Sequence, residues 1–291
     1  MKLLTIPGVA FSAAAYLNDH ELLSIDFSSA RTIRRWDLGD GATAVVPPSQ
    51  ATAAFCLFRP EGAAFLREQG FWPADQELPT VVGEPAVLWP RPGWSPSAFG
   101  AGGTAVIYAE VVVTDGYYST RFHVRTATSD CESFHHARGY FGVAASFSAD
   151  GNLAAVTGGL RDVVVYNVAT GGEVCRMDQS DNARYLSFVG RDRLAVAAGR
   201  TVRLWDVPGG ACIAKLPAFH KHATGLAVSP DHRLLAACGR DGRVTVCEAA
   251  TGHQRDSYDW QIGELRAVAF SPAGSTAAVA GQKGIVVWDL E

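Results

Sequence analysis

Long apolar runs are missing from this sequence. No stretch approaches the roughly 18 residues that a membrane-crossing helix needs, so no span of that kind is expected. A basic excess is missing too: the formal net charge is −4. Domains that bind nucleic acid usually carry a strong positive excess, so nucleic acid is not an expected partner and any such binding would have to be local. Cysteines are few, six in 291 residues, and none has the close paired spacing of zinc or redox motifs. Cys56, Cys131, Cys175, Cys212, Cys238 and Cys247 therefore read as buried thiols in a protein of the reducing cytoplasm. No nucleophile elbow, phosphate-cradling glycine loop or paired-carboxylate motif is present. The only histidine clusters, His135–His136 and His220-Lys221-His222, offer no visible third ligand, and catalytic zinc sites usually need three. Neither a cofactor nor a metal is expected.

What the chain has is 48% hydrophobic residues, 30 glycines and 14 prolines, a composition suited to a compact all-β protein. The last 22 residues, "FSPAGSTAAVAGQKGIVVWDLE" (Phe270–Glu291), hold two short apolar runs, Thr276–Ala280 and Ile285–Trp288. A Gly/Gln/Lys/Gly turn separates them and Pro272–Gly274 precedes them, which is a β-hairpin signature. The same pattern returns at Phe147–Gly172, Phe188–Gly210 and Val228–Gly252. Its openings, Phe147, Phe188, Val228 and Phe270, are 41, 40 and 42 residues apart, and the strand ends Tyr166, Trp205, Cys247 and Trp288 are 39, 42 and 41 apart. A period near forty with four short strands per unit is the mark of a propeller blade.

A Phe-Ser-Pro-Asp-Gly-like turn, a strand ending in Trp-Asp and a following Thr-Gly resemble the WD-repeat family of β-propellers. "ELLSIDFSSARTIRRWDLGDG" (Glu21–Gly41) joins the set through Trp36-Asp37, and the 130 residues between Trp36 and Tyr166 leave room for two further, divergent blades. Seven units of about 42 residues fill the chain. The resemblance implies an all-β, seven-bladed propeller of four-stranded antiparallel sheets forming one domain over residues 1–291. Residues 1–8 would be the outer strand of blade seven, 9–47 blade one, 48–130 two divergent blades with insertions, and 131–291 blades four to seven.

In this family a repeat ends on the third strand of a blade, and only Leu290 and Glu291 follow Asp289. "MKLLTIPG" (Met1–Gly8) resembles the outer strands "EVCRM" (Glu173–Met177) and "CIAKL" (Cys212–Leu216), so the N-terminal strand is expected to complete the last blade and close the ring. Closure would leave no open sheet edge around the circle. The same segment imitates a secretory leader, with Lys2 before "LLTIPGVAFSAAA", but Pro7 and Gly8 interrupt its apolar run.

Residues 48–130 align poorly. Nine of the fourteen prolines and three of the seven tryptophans, Trp72, Trp89 and Trp94, fall between Pro47 and Pro96. Proline removes ladder donors, so this stretch cannot all be central strand. Two readings stay open: a loop insertion whose Trp72 and Trp94 build a binding surface, or a decayed blade whose tryptophans pack. "AEVVVTDGYYSTRFHVR" (Ala109–Arg125) then returns to hairpin form, with Asp115-Gly116 as its turn.

Family blades often carry a hydrogen-bonded set of His, Ser/Thr, Asp and Trp. Six residues before the Trp position stand Ala30, Leu160, Gly199, Asp241 and Gln282, so only blade six keeps the Asp, and there Cys247 replaces the Trp. The blades are therefore expected to hold through hydrophobic packing. One residue further on stand Arg31, Arg161, Arg200, Gly242 and Lys283, with Arg240 and Arg243 flanking the glycine. If the turns superpose, an acidic protein carries cations on the family's top face, with Arg138, Arg184, Lys221, Trp260 and Arg266 in neighbouring loops. Converging cations steer anions even when net charge is negative, and acidic or phosphorylated peptides would suit them. The resemblance thus implies a non-catalytic protein-interaction scaffold without membrane association. Its expected partner-binding residues are Arg31, Arg161, Arg200, Arg240, Arg243, Lys283, Trp72, Trp94 and Trp260. A hydrolase or small-ligand site at the channel mouth stands as the alternative.

Overall fold

A computed structural model describes residues 1–27, 32–46, 94–99, 105–114, 117–126, 132–138, 143–158, 161–179, 181–216 and 219–290. Among them are 24 strands and no helix long and apolar enough to cross a membrane. The chain forms two compact units. Met1–Ala54, Arg200–Leu204 and Ile213–Glu291 make the first, and Phe55–Gly199 with Trp205–Cys212 the second.

Every strand belongs to one of six four-stranded antiparallel sheets. The first unit holds β2 (Phe11–Asn18), β3 (Glu21–Asp26), β4 (Ile33–Asp37) and β5 (Thr43–Val45), ordered β2-β3-β4-β5. It also holds β18 (Ala223–Val228), β19 (Leu234–Gly239), β20 (Arg243–Glu248) and β21 (Gln254–Asp259) in one sheet. Its third sheet is β22 (Leu265–Phe270), β23 (Thr276–Gly281) and β24 (Gly284–Asp289), completed by β1 (Lys2–Leu4) in the order β1-β24-β23-β22.

The second unit holds β6 (Trp94–Phe99), β7 (Ala105–Thr114), β8 (Tyr117–Thr126) and β9 (Glu132–Arg138), then β10 (Val143–Phe147), β11 (Leu153–Gly158), β12 (Asp162–Asn167) and β13 (Glu173–Asp178). The sixth sheet takes β14 (Ala183–Val189) and β15 (Arg193–Ala198) from this unit, with β16 (Thr201–Asp206) and β17 (Ala211–Lys215), whose residues are divided between the two units. The blade expected between β5 and β6 lies outside the described residues.

The repeat sets these strands. Both apolar runs of the C-terminal hairpin are strands, β23 and β24, and their equivalents recur with the expected spacing. Second strands such as β15 and β19 are buried on both faces, which is why they read as unbroken Ala/Val/Leu runs rather than alternating ones. The fourth strands β5 and β17 are exposed along their length but for half-buried Ala214, because they form the solvated edge. That explains a correction among the cysteines: Cys238 and Cys247 are buried as expected, but Cys212 lies in β17 and is exposed, and Cys175 in β13 is half-buried. Cys56 and Cys131 lie outside the described residues.

The N-terminal segment is a strand, as its likeness to the other outer strands implied. Lys2 pairs with Val287, Leu3 with Val286 and Leu4 with Ile285. The Lys2 ammonium donates to the carbonyls of Leu38 (2.7 Å) and Gly39 (2.8 Å), tying β1 to the β4–β5 turn. Gly284 makes the approach possible: at φ +156° a Cβ there would meet the Leu4 carbonyl oxygen at 2.8 Å. Leu4, Ile285 and Val287 then pack with Phe11, Leu22 and Trp36 in one buried cluster. A second cluster in this unit joins Ala236, Val244 and Val246 to Leu265, Val279, Val286 and Trp288.

In the second unit, Ala109, Phe122 and Val124 pack on Phe147, Val156 and Tyr166, and Val163, Val165 and Met177 pack on Leu186, Phe188 and Val196. β7 and β8 form the expected hairpin, paired from Ala105↔Thr126 to Thr114↔Tyr117. Pro96 lies within β6 beside a register shift between Pro96 and Ala98, and among the described strands β6 pairs only with β7. An edge position is where a strand tolerates proline.

Two serines brace repeated turns in the same way. Ser148 Oγ donates to Asp150 (2.7 Å) and accepts from the Leu153 N–H (2.9 Å). Ser229 Oγ does likewise with Asp231 (2.6 Å) and Leu234 (2.9 Å). Both carboxyls are held below the usual carboxylate range, first of all by these hydroxyl bonds.

Candidate functional site

Four loops of the first unit converge on a cleft of about 540 Å³. Two are turns inside sheets, Arg240–Gly242 between β19 and β20 and Gln282–Lys283 between β23 and β24. The other two enter sheets: His220 and Lys221 precede β18, and residues 260–264 precede β22.

Their backbones are locked by side-chain acceptors. Asp241 accepts the His220 N–H on one carboxylate oxygen (2.7 Å) and the Arg243 N–H on the other (3.3 Å). Gly242, at φ +87°, completes that turn, a conformation glycine adopts without cost. In the neighbouring turn Gln282 Oε1 accepts the Glu264 N–H (3.2 Å), so a glutamine braces the entering loop much as Asp241 does. The Gln282 and Lys283 N–H groups donate to the carbonyls of Glu264 (3.2 Å) and Ile262 (3.0 Å). The one-position comparison that singled out Asp241 overlooked Gln282, whose longer side chain still reaches the loop.

The charges in the cleft are unevenly committed. Asp241 is engaged by two N–H groups, and Asp259 accepts the Gln261 N–H at 2.9 Å. Glu264 faces Lys221 Nζ at 3.5 Å and Arg266 Nη2 at 3.9 Å. Arg240 and Lys283 are exposed and make no ion pair or side-chain hydrogen bond among the described residues. The acids are used within the protein, and these two cations are not.

The expected site residues distribute unequally. Arg240 and Lys283 line the cleft together, joined by Lys221. Arg243 opens β20 next to it and is exposed. Arg200, also exposed, donates Nε to the Phe219 carbonyl at 3.0 Å, so part of its guanidinium is already bound. Arg161 lies in the second unit, exposed just before β12, and its carbonyl accepts the Gln179 N–H. Arg31 and Trp72 lie outside the described residues.

Several placements differ from those read from the sequence. Trp94 opens β6, a strand position, which fits the diverged-blade reading of the two left open for this stretch. Arg184 and Arg266 are likewise strand residues, in β14 and β22, and Arg138 ends β9. Trp260 is half-buried in an aromatic cluster, stacked on Tyr258 at 4.9 Å and tilted against Trp288 at 4.7 Å. That cluster lines a second cavity with Leu234 and Leu290, while the chain neighbours of Trp260, Asp259 and Gln261, line the cationic cleft.

Hydrogen bonding within the sheets is richer in one place than packing alone implied. The Trp36 indole N–H donates to Ser24 Oγ at 2.8 Å, fully buried. The indole N–H groups of Trp205 and Trp288 are buried and have no acceptor among the described residues. Burial also pushes the Cys238 and Cys247 thiols up to about 12, which makes them inert. No group of three His, Cys, Asp or Glu able to hold a metal occurs among the described residues.

Comparisons with known proteins agree with the repeat reading. Residues 210–247 match the family model "WD domain, G-beta repeat". The crystal structure of the WD40 beta propeller domain of Doa1 superposes with a TM-score of 0.61 over 100% of this chain and 96% of that one, at 12% identity. The resemblance to WD-repeat β-propellers therefore holds at the level of fold over the whole chain and at the level of sequence in one repeat. Centriole proteome protein 16 of Chlamydomonas reinhardtii is 36% identical over 131 residues, which cover 43% of this chain and 5% of that protein. The chain thus matches only a small part of that much longer relative.

Proposed function

We propose that the protein is a non-catalytic interaction scaffold: one seven-bladed propeller domain, its ring closed through β1, that binds an acidic protein or peptide on the face carrying the Arg240 and Lys283 turns. Six described sheets and the β1–β24 pairing support the seven-blade, closed-ring reading. WD40 propellers are interaction platforms in general, and a cytoplasmic setting suits the four described cysteines, none of which is in a disulfide.

The observation that carries the reading is the imbalance in the cleft. Asp241, Asp259 and Glu264 are held by internal partners, while Arg240 and Lys283 have none among the described residues. Cations presented on rigid, braced turns lose little entropy on binding a carboxylate and raise the local potential for an approaching anion. Arg200, Arg243, Arg161 and Arg31 extend the same chemistry if their turns share the face.

The test is an affinity capture from source lysate, read by mass spectrometry, with wild type against a folded variant carrying Arg200, Arg240 and Lys283 each changed to Glu. The expected result is a set of acidic proteins held by the wild type in a salt-sensitive way and absent from the variant. Equal capture by both forms would sink the proposal that these turns bind the partner.

A further inference from the structure

We infer that Phe27 and Arg266 form a preorganised anchor beside the cationic cleft, and that the segment it binds is acidic and carries an apolar side chain to lay on the Phe27 ring. This rests on the reading of the Arg240–Lys283 face as the docking surface and names the kind of partner that fits it.

Phe27 follows β3 and is 61% exposed. The other large hydrophobics exposed among the described residues, Met1, Leu3, Val45, Val174 and Ile213, sit in or beside the fourth strands β1, β5, β13 and β17. There they form solvated edges, where single apolar side chains are normal. Phe27 has no such setting, and it is the one aromatic in the group.

The ring is also held in place. Its own N–H donates to the Ala10 carbonyl at 2.7 Å, and the preceding Asp26, buried, is clamped by Arg34 Nε at 3.2 Å. The Arg266 guanidinium lies over the ring, its Cζ 4.1 Å from the centroid. A cation on one face of a phenyl ring restrains its orientation, and at 61% exposure much of Phe27 stays available to a partner. Arg266 Nε is buried with no partner among the described residues, so part of its hydrogen-bonding capacity goes unused.

The anchor and the cleft are one surface. Arg266 Nη2 reaches Glu264 (3.9 Å), and Glu264 reaches Lys221 Nζ (3.5 Å), and both Glu264 and Lys221 line the cleft with Arg240 and Lys283. A rigid aromatic with an arginine beside it, flanked by unpaired cations, has the composition of a binding hot spot. Charge complementarity selects a carboxylate-rich partner for the cleft, and the exposed phenyl ring selects an apolar side chain next to it. The net charge of −4 disfavours a nucleic-acid strand on the same surface.

The experiment measures fluorescence anisotropy with a short labelled peptide of glutamates around one leucine, and with its serine analogue. Saturable binding of the leucine peptide is expected, weakened about tenfold both by the serine analogue and by Phe27→Ala, and abolished by Arg240→Glu with Lys283→Glu. If Phe27→Ala and the serine analogue each stay within about twofold while the charge variant abolishes binding, the anchor is refuted and the docking face stands. If neither peptide binds the wild type, the anchor and the docking face fall together. Tighter binding of an oligothymidylate, lost in Phe27→Ala, would overturn the inference in favour of base stacking.

Discussion

Val279→Thr is expected to stabilise the protein, against the usual direction for a polar substitution in a core. In the β3–β4 ladder Trp36 stands opposite Leu22, and its indole N–H donates to Ser24, two residues further along β3. In the β23–β24 ladder Trp288 stands opposite Ala277, and the same offset lands on Val279, fully buried. Trp288 Nε1 has no acceptor among the described residues. A buried donor left unmade costs about 1–3 kcal/mol. Threonine keeps the branched shape of valine, exchanging one methyl for a hydroxyl, which forfeits about 1 kcal/mol of burial. A bonded hydroxyl removes most of the donor's penalty, so the net gain is about 0.5–1.5 kcal/mol. The assay is urea unfolding followed by circular dichroism, run as a double-mutant cycle with Trp288→Phe. In the Trp288→Phe background the threonine hydroxyl loses its donor, and Val279→Thr there is expected to destabilise by about 1–3 kcal/mol. If Val279→Thr costs the same in both backgrounds, the offset read from Trp36 and Ser24 does not transfer and the reasoning is wrong.

Ser24→Ala runs the experiment in reverse: orphaning the Trp36 N–H is expected to lower the unfolding free energy by about 1–3 kcal/mol in the same urea assay. The Asp150 and Asp231 carboxyls, lowered chiefly by their serine hydroxyl bonds, give a pH signature. A group with a depressed native pKa contributes in full above its unfolded value, about 4, and loses that contribution as pH falls through the lower native value. Ser148→Ala with Ser229→Ala should therefore flatten the acid side of the stability profile, and urea midpoints from neutral pH downward check it. Cys238 and Cys247, with thiols pushed up to about 12, are expected to stay unmodified by a thiol-disulfide reagent in the native protein and to react on unfolding, whereas exposed Cys212 reacts at once. Native-state labelling of Cys238 would contradict its burial.

The strand pattern was readable before any coordinates because it is local. Alternating or continuous apolar runs bounded by Gly, Pro, Asp and Ser carry their own period, and a period near forty copied along the chain multiplies the signal. Thr276–Ala280 and Ile285–Trp288 became β23 and β24 with one-residue changes at their ends, and Glu173–Met177 became β13. The pairing of β1 with β24 was legible as well, since Met1–Gly8 looks like the other outer strands. The cationic turns were visible as a recurring position, and Arg240 and Lys283 do share a cleft.

Tertiary structure decided the rest, because those interactions join residues far apart in the chain. Phe27 and Arg266 are separated by 239 positions, and no periodicity marks a ring that is exposed in order to meet a guanidinium. Gln282 braces the Glu264 loop although its residue type breaks the Asp pattern, since what matters is reach to an N–H rather than identity at one position. Trp260 looked like a surface anchor by composition and is packed, because Tyr258 and Trp288 arrive from two different strands to cover it. Sequence alone determined which segments are strands and which residues could be charged turns. Folding determined which charges find distant partners, as when Asp241 accepts the His220 N–H and Glu264 meets Lys221, because the packing of one loop on another brings them together.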